Sequence, residues 1–229
     1  MPFKKDKRKL VSNILKLEQR SHKNGFRKSI YIKPNDKYVG DWKNSAKEGC
    51  GSQLISDSLY EGAWKKDLKH GHGVSSWEDD DKIFHLEYRG NWKDGFQHGY
   101  GAKHYRDGSY YLGYLKKSKR HGSGQMWYVD GSYYEGDWSK DKHSGLGMFV
   151  RVDGNRYEGE WNNNLKHGRG RFFHLGTGQM QEGVWEYDIC VVSVLVDIPF
   201  RQTAVCPTQY PLQVIELSEP NEVCSLCSC

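Results

Sequence analysis

The chain has 229 residues, of which 36% are hydrophobic, and its mean hydropathy of −0.85 is too polar for one deep core. Tyrosine (15), tryptophan (8) and glycine (26) are nonetheless abundant, a pairing that indicates β-structure rich in turns and argues against disorder throughout. The net charge of +5 is unevenly placed: residues 1–37 carry twelve Lys/Arg against three Asp/Glu, residues 188–229 carry one Arg against five acids, and residues 38–187 balance 21 against 21, so the middle has no field to steer nucleic acid or an anionic membrane.

The first 37 residues read as a basic extension. Leu10, Val11, Ile14 and Leu17 share one helical face and Lys9, Lys16 and Arg20 lie elsewhere, which predicts a short N-terminal amphipathic helix. Capping the array is its plain role, and docking on a partner or a membrane is the alternative. Lys4, Lys5, Lys7, Arg8 and Lys9 are the candidate membrane or partner contacts, or simply a solvated tail. No apolar run reaches the roughly 18–20 residues that span a bilayer, and the lysine-rich start lacks a signal-peptide core, so the expected location is cytoplasmic.

From residue 38 to 187 a Tyr-x-Gly-x-Trp pattern followed by Gly-x-Gly recurs, mostly every 23 residues. Units begin at Tyr38, Tyr60, Tyr88, Tyr111, Tyr134 and Tyr157, and Gln181, Gly183 and Trp185 form a partial seventh. Tyr134–Trp138 reads as a strand, Ser139–Ser144 as a loop and Gly145–Phe149 as the returning strand. Asp107-Gly108, Asp130-Gly131 and Asp153-Gly154 suit the tight turns that join units. If Trp138 faces Gly145, then Gly136 faces Gly147 and Tyr134 faces Phe149, and rings cover bare backbone on one face. The same register sets Glu158 against Arg171 and Glu160 against Arg169 on a wet opposite face. The fold class is all-β: an elongated, single-layer, twisted antiparallel sheet of consecutive hairpins.

Tyr157-Glu158-Gly159-Glu160-Trp161 with His167-Gly168-Arg169-Gly170 resembles the MORN (membrane occupation and recognition nexus) repeat, and six such units make the resemblance specific. It departs where Leu115 replaces tryptophan, Glu48 and Ser144 replace histidine, and an acidic insertion runs from Trp77 to Glu87. Gln19-Arg20 to Asn24-Gly25, residues 170–175 and Pro207–Pro211 most resemble one family member. That likeness implies an adaptor of male germ cells, acrosomal or axonemal as well as cytoplasmic, active in spermatogenesis or in cilia and flagella.

No catalytic constellation, metal site or cofactor is expected. His70, His98, His121 and His167 recur before glycine as turn residues facing away from the rings. Gly99-Tyr100-Gly101 lacks the strand-to-helix context of a phosphate loop. Residues 188–229 read as an acidic tail whose Cys206, Cys224, Cys227 and Cys229 lack a paired ligand motif and stay reduced in cytosol. The expected function is a non-catalytic scaffold that accepts helical or extended segments of other proteins in an aromatic groove, since an exposed aromatic face marks a partner site. Tyr60, Trp64, Tyr88, Trp92, Tyr111, Tyr134, Trp138, Tyr157 and Trp161 are its candidate residues. The rival is a phosphoinositide or anionic-membrane tether, which the neutral body disfavours; nucleic acid is not an expected partner, and edge-to-edge self-association is open.

Overall fold

The computed structural model describes residues 22–33 and 35–198, which form one antiparallel sheet of fifteen strands in unbroken sequence order. They are β1 (Gly25–Lys33), β2 (Asp36–Lys43), β3 (Ala46–Ile55), β4 (Ser58–Lys65), β5 (Leu68–Glu78), β6 (Phe84–Lys93), β7 (Phe96–His104), β8 (Tyr110–Lys116), β9 (Lys119–Trp127), β10 (Tyr133–Ser139), β11 (Lys142–Val150), β12 (Arg156–Asn162), β13 (Leu165–His174), β14 (Gln179–Glu186) and β15 (Ile189–Asp197). At about 4.8 Å per strand the stack extends on the order of 70 Å. The sheet is open, with β1 and β15 as its edges.

The described residues contain no helix. The expected amphipathic helix, the basic cluster Lys4–Lys9, and Cys206, Cys224, Cys227 and Cys229 lie outside the described residues. Pairing runs past the repeats at both ends: β1 forms within the basic extension, and β15 continues from the partial seventh unit into the segment read as tail.

The loop expected over Ser139–Ser144 is shorter. Lys140 and Asp141 alone make the reversal, at φ 52° and 70°, and β11 resumes at Lys142. The same two-residue, positive-φ turn occurs at Asn44-Ser45, Lys66-Asp67, Asp94-Gly95, Lys117-Ser118, Asn163-Asn164 and Tyr187-Asp188, the twist-matched hairpin connection. The second turn residue ties each hairpin to the one before: Asp141 donates its N–H to the Arg120 carbonyl (3.1 Å) and accepts the Arg120 N–H on Oδ1 (2.9 Å). Asp67 does the same to Lys47, Asn164 to His143 and Asp188 to Lys166.

At the other end of the strands the Asp-Gly turns form as read. Gly108, Gly131 and Gly154 sit at φ 91°, 87° and 81°. Ser109 and Ser132 donate both N–H and hydroxyl to Asp107 and Asp130, which holds these carboxyls below the usual range. The acidic insertion lengthens β5 and β6, and its turn closes through Ile83 N–H to Asp79 Oδ1 (2.9 Å) and through Trp77 stacked on His85 (4.6 Å).

Candidate functional site: a covered aromatic face

Tyr134 faces Phe149 and Gly136 faces Gly147, as the spacing predicts, but Trp138 faces His143 of its own hairpin and not Gly145. Gly145 takes φ 65°, and with its neighbours it bulges the returning strand, so residues 144–146 lie across from Asp137 alone. Gly145 instead faces Trp161 of the following unit, and Trp138 faces Gly122 of the preceding one. The leading glycine of every Gly-x-Gly from 49 to 168 adopts this left-handed geometry, at φ 65–75°.

The bulge takes the carbonyl three residues after each tyrosine out of the ladder, and the phenol recovers it. Tyr134 Oη donates to the Asp137 carbonyl at 2.9 Å, and Tyr38, Tyr60, Tyr88, Tyr111 and Tyr157 repeat the bond at 2.8–3.1 Å. To reach it the ring lies flat over two facing glycines; a Cβ on Gly147 would stand 2.7 Å from Tyr134 Cζ. Burial pushes every one of these phenols up, Tyr88 and Tyr157 to about 12, so they stay neutral donors.

Tryptophan links one unit to the next. Tyr134 meets Trp138 edge-on at 4.9 Å and Trp161 at 5.6 Å, and Tyr60 lies likewise between Trp64 and Trp92, both at 5.1 Å. Each indole N–H also crosses a repeat junction: Trp64 to the Gly51 carbonyl, Trp92 to Gly73, Trp138 to Gly124 and Trp161 to Gly147, at 3.0–3.2 Å. Trp42, the first of the series, has no acceptor among the described residues. Trp185 of the partial seventh unit closes the row against Tyr157 at 5.2 Å.

Six segments, residues 38–58, 60–82, 88–110, 111–133, 134–156 and 157–173, match the family model described as MORN repeat. The chain belongs to the MORN repeat family. MORN repeat-containing protein 3 of Xenopus laevis is 44% identical to it over 226 residues, which cover 97% of this chain and 94% of that protein.

In these MORN units the nine candidate residues do come together, in one continuous cluster, and all are buried: Tyr88, Tyr111 and Tyr134 are 0% exposed and the tryptophans among them 3–7%. The face is thus not the bare aromatic surface that the sequence suggests. Its lid is the residue two places after each positive-φ turn from Asn44-Ser45 to Asn163-Asn164: Lys47, Lys69, Gln97, Arg120, His143 and Lys166. Lys69 Nζ sits 4.6 Å from the Tyr60 ring and 4.7 Å from Trp92, and Arg120 lies 4.2 Å from Trp138. His143 stacks on Tyr134 at 3.6 Å. Burial lowers the pKa of Lys47 and Lys69, and burial with Arg120 nearby brings His143 down to about 3. Cation–π attraction of about 0.5–2 kcal/mol each offsets part of that desolvation.

Beside the tyrosines the facing residue changes along the MORN array. It is Gln53, Ser75 and Lys103 in the first three units, then Met126, Phe149 and Phe172. Tyr105, Tyr128, Phe149 and Phe172 are only partly buried where they pack on the cluster. Of these rings the sequence pointed to Phe149 alone, opposite Tyr134; for the other rings and the lid residues a signal existed in their fixed distance from Trp, but their chemistry varies from unit to unit.

Two of the recurrent histidines contact the neighbouring turn: His70 Nδ1 lies 3.9 Å from Asp94, and His167 packs on Tyr187 at 5.5 Å. Among the described residues no group of three His, Cys, Asp or Glu is arranged to hold a metal ion. On the reverse face Glu158 does stand opposite Arg171. The ion pairs formed there are Arg156–Glu158 (2.7 Å) and Arg171–Glu182 (3.0 Å), and Glu160 accepts the backbone N–H of Arg169. Arg171 turns to the following unit because Glu182 is its direct partner on β14.

Proposed function

We propose that this MORN protein is a non-catalytic scaffold that holds a segment of another protein along its aromatic face, in male germ cells or in cilia and flagella. The observation that carries the reading is the graded face: from β9 to β13 partly buried Tyr128, Phe149 and Phe172 stand beside Arg120, His143 and Lys166. Apolar anchors flanked by the cations Arg120 and Lys166, with His143 neutral between them, suit an amphipathic segment with acidic residues. The nine buried tyrosines and tryptophans form the floor and set the repeat spacing; the partner meets the lid and the outer rings.

The test compares pull-downs from testis or ciliated-cell extract with wild type, Phe149→Ser/Phe172→Ser, and Lys166→Glu, each checked for fold by circular dichroism. Partners lost from both folded variants support the proposal. Partners unchanged in both refute it, and salt-sensitive binding to anionic vesicles that depends on Lys4–Lys9 would replace it with a membrane tether.

A further inference from the structure

The two edges of the sheet are unlike. β1 is blunted: exposed Arg27 and Lys28 stand on it, and its pairing with β2 shifts register between Arg27 and Ile30 and again between Tyr31 and Lys33. Charges and bulges of this kind keep an edge from accepting another strand. β15 is open along most of its length. No acid, lysine or arginine occurs from Ile189 to Val196, and Ile189, Val191, Val192, Val194, Leu195 and Val196 are 45–70% exposed. Its one irregularity lies near the start, between the pairs Val184–Val192 and Trp185–Cys190, and from Val192 to Asp197 its ladder on β14 is regular.

The regular stretch fixes which backbone groups lack a partner strand. Ile198 donates its N–H to the Gly178 carbonyl at 2.9 Å, so the alternation of an antiparallel ladder turns Val192, Val194 and Val196 towards β14 and Ser193, Leu195 and Asp197 outward. The side chains alternate as well. Val192, Val194 and Val196 lie on the reverse face opposite Val184, Glu182 and Met180, whereas Ser193 and Leu195 lie on the aromatic face opposite Gly183 and Gln181. Ser193 Oγ accepts from Gln181 Nε2 at 2.9 Å and, among the described residues, donates to no acceptor, while Asp197 accepts from Gln179 at 3.2 Å.

We propose that β15 pairs with β15 of a second copy of this chain, antiparallel about a two-fold axis at Leu195. That register sets Leu195 against its own counterpart and Ser193 against Asp197, so the outward N–H and C=O groups of all three residues are used, in about six backbone hydrogen bonds. The side chains agree with it. On the reverse face Val194 meets Val196 and Val192 meets Ile198, and on the aromatic face the Ser193 hydroxyl donates to the Asp197 carboxylate of the other copy. An axis at Val194 would draw Val191 and the bulge into the ladder, and an axis at Val196 would draw in Pro199, which has no N–H to give. Blunted β1 is no mate for β15, so the contact closes at two copies and does not run on head to tail. Contact along one pair of strands stays below about 1,200 Å² and belongs with weak, roughly micromolar interfaces. The axis stands perpendicular to the sheet, so the two arrays continue as one sheet with both aromatic faces on the same side.

The experiment is sedimentation velocity of the full chain under reducing conditions, from micromolar to submillimolar concentration. A monomer–dimer equilibrium that weakens about tenfold or more in Leu195→Lys, which brings two like charges together at the axis, supports the proposal. Ser193→Lys stays dimeric, held by the Asp197 that it faces, and its dimer comes apart on added salt. Hydrogen exchange reads the register: the amides of Ser193, Leu195 and Asp197 gain protection as concentration rises, whereas those of Val194 and Val196, bonded to β14, are protected throughout. Thermal melts check each variant, and Val194→Lys serves if Leu195→Lys fails to fold. A monomer at every concentration, a dimer unchanged in the folded lysine variant at 194 or 195, or oligomers that grow past two copies overturn the proposal. So does protection of the Ser193, Leu195 and Asp197 amides in the dilute monomer, which assigns the edge to residues 199–229 of the same chain.

Discussion

Replacing Gly147 with alanine asks how firmly one tyrosine holds its unit. The added Cβ would stand 2.7 Å from Tyr134 Cζ and 2.9 Å from Cε2, closer than carbon atoms approach, while the backbone at Gly147 has no positive φ to strain. The clash is therefore with a ring that is 0% exposed and whose hydroxyl holds the Asp137 carbonyl. Displacing it forfeits part of the roughly 3–5 kcal/mol that truncating a buried aromatic removes and about 1 kcal/mol of hydrogen bond. Less backbone freedom in the unfolded chain returns about 0.5–1 kcal/mol. The expected net destabilisation is about 2–4 kcal/mol, read from urea denaturation and from local hydrogen exchange in β10 and β11, since repeat arrays need not unfold as one. A double-mutant cycle isolates the cause. With Tyr134→Ala in place the clash partner is gone, so Gly147→Ala should cost almost nothing further. Gly136→Ala should not be rescued, because its Cβ would meet backbone, the Leu146 carbonyl oxygen at 2.6 Å and the Gly147 Cα. Additive losses at Gly147 and Tyr134 would refute the account of the glycine pair.

Two further outcomes follow from the same geometry. Trp138→Phe should cost about 1 kcal/mol more than Trp42→Phe, because only Trp138 donates across a junction, to the Gly124 carbonyl at 3.1 Å; equal losses in matched denaturation curves would show that the indole bond adds nothing. His143, held at about 3 in the fold against 6.5 unperturbed, refuses a proton that the unfolded chain accepts. Its contribution is whole above about pH 6.5 and declines as pH falls towards about 3, by about 1.4 kcal/mol at pH 5.5. His143→Gln, which installs the residue found at the equivalent Gln97, should remove that difference between pH 7.5 and 5.5; an unchanged pH dependence argues against a neutral buried imidazole.

Much of the sheet was legible because Tyr, Gly and Trp recur at positions where only one arrangement buries the rings. Tyr134 opposite Phe149 and Gly136 opposite Gly147 follow from counting along a regular ladder. The count fails at Trp138 because Gly145 leaves the extended conformation, and a left-handed glycine looks like any other glycine in a sequence. The lid was illegible for a different reason: one geometric role is filled by lysine, glutamine, arginine and histidine, so no residue type marks it. β15 escaped because Ile189–Asp197 lacks the repeat pattern, although its run of valines suits a strand. The reverse face read as polar from Glu158 and Arg171, and Tyr100 with Tyr114 depart from that only at one junction.

Since Tyr38, Tyr60, Tyr134 and Tyr157 each rest between the tryptophan of their own unit and that of the next, the unit of packing is out of phase with the unit of sequence. A chain cut at a sequence boundary, after residue 156 for example, would leave Tyr134 with one indole where it had two. A shortened array therefore has to keep one ring beyond the last repeat it means to preserve. Residues 179–186 fill that place here: too degenerate to count as a repeat, they still deliver Trp185 to Tyr157. Blocks inserted or removed whole between two tryptophan-bearing units leave the remaining tyrosines seated between two indoles, so array length can change without any new core being invented.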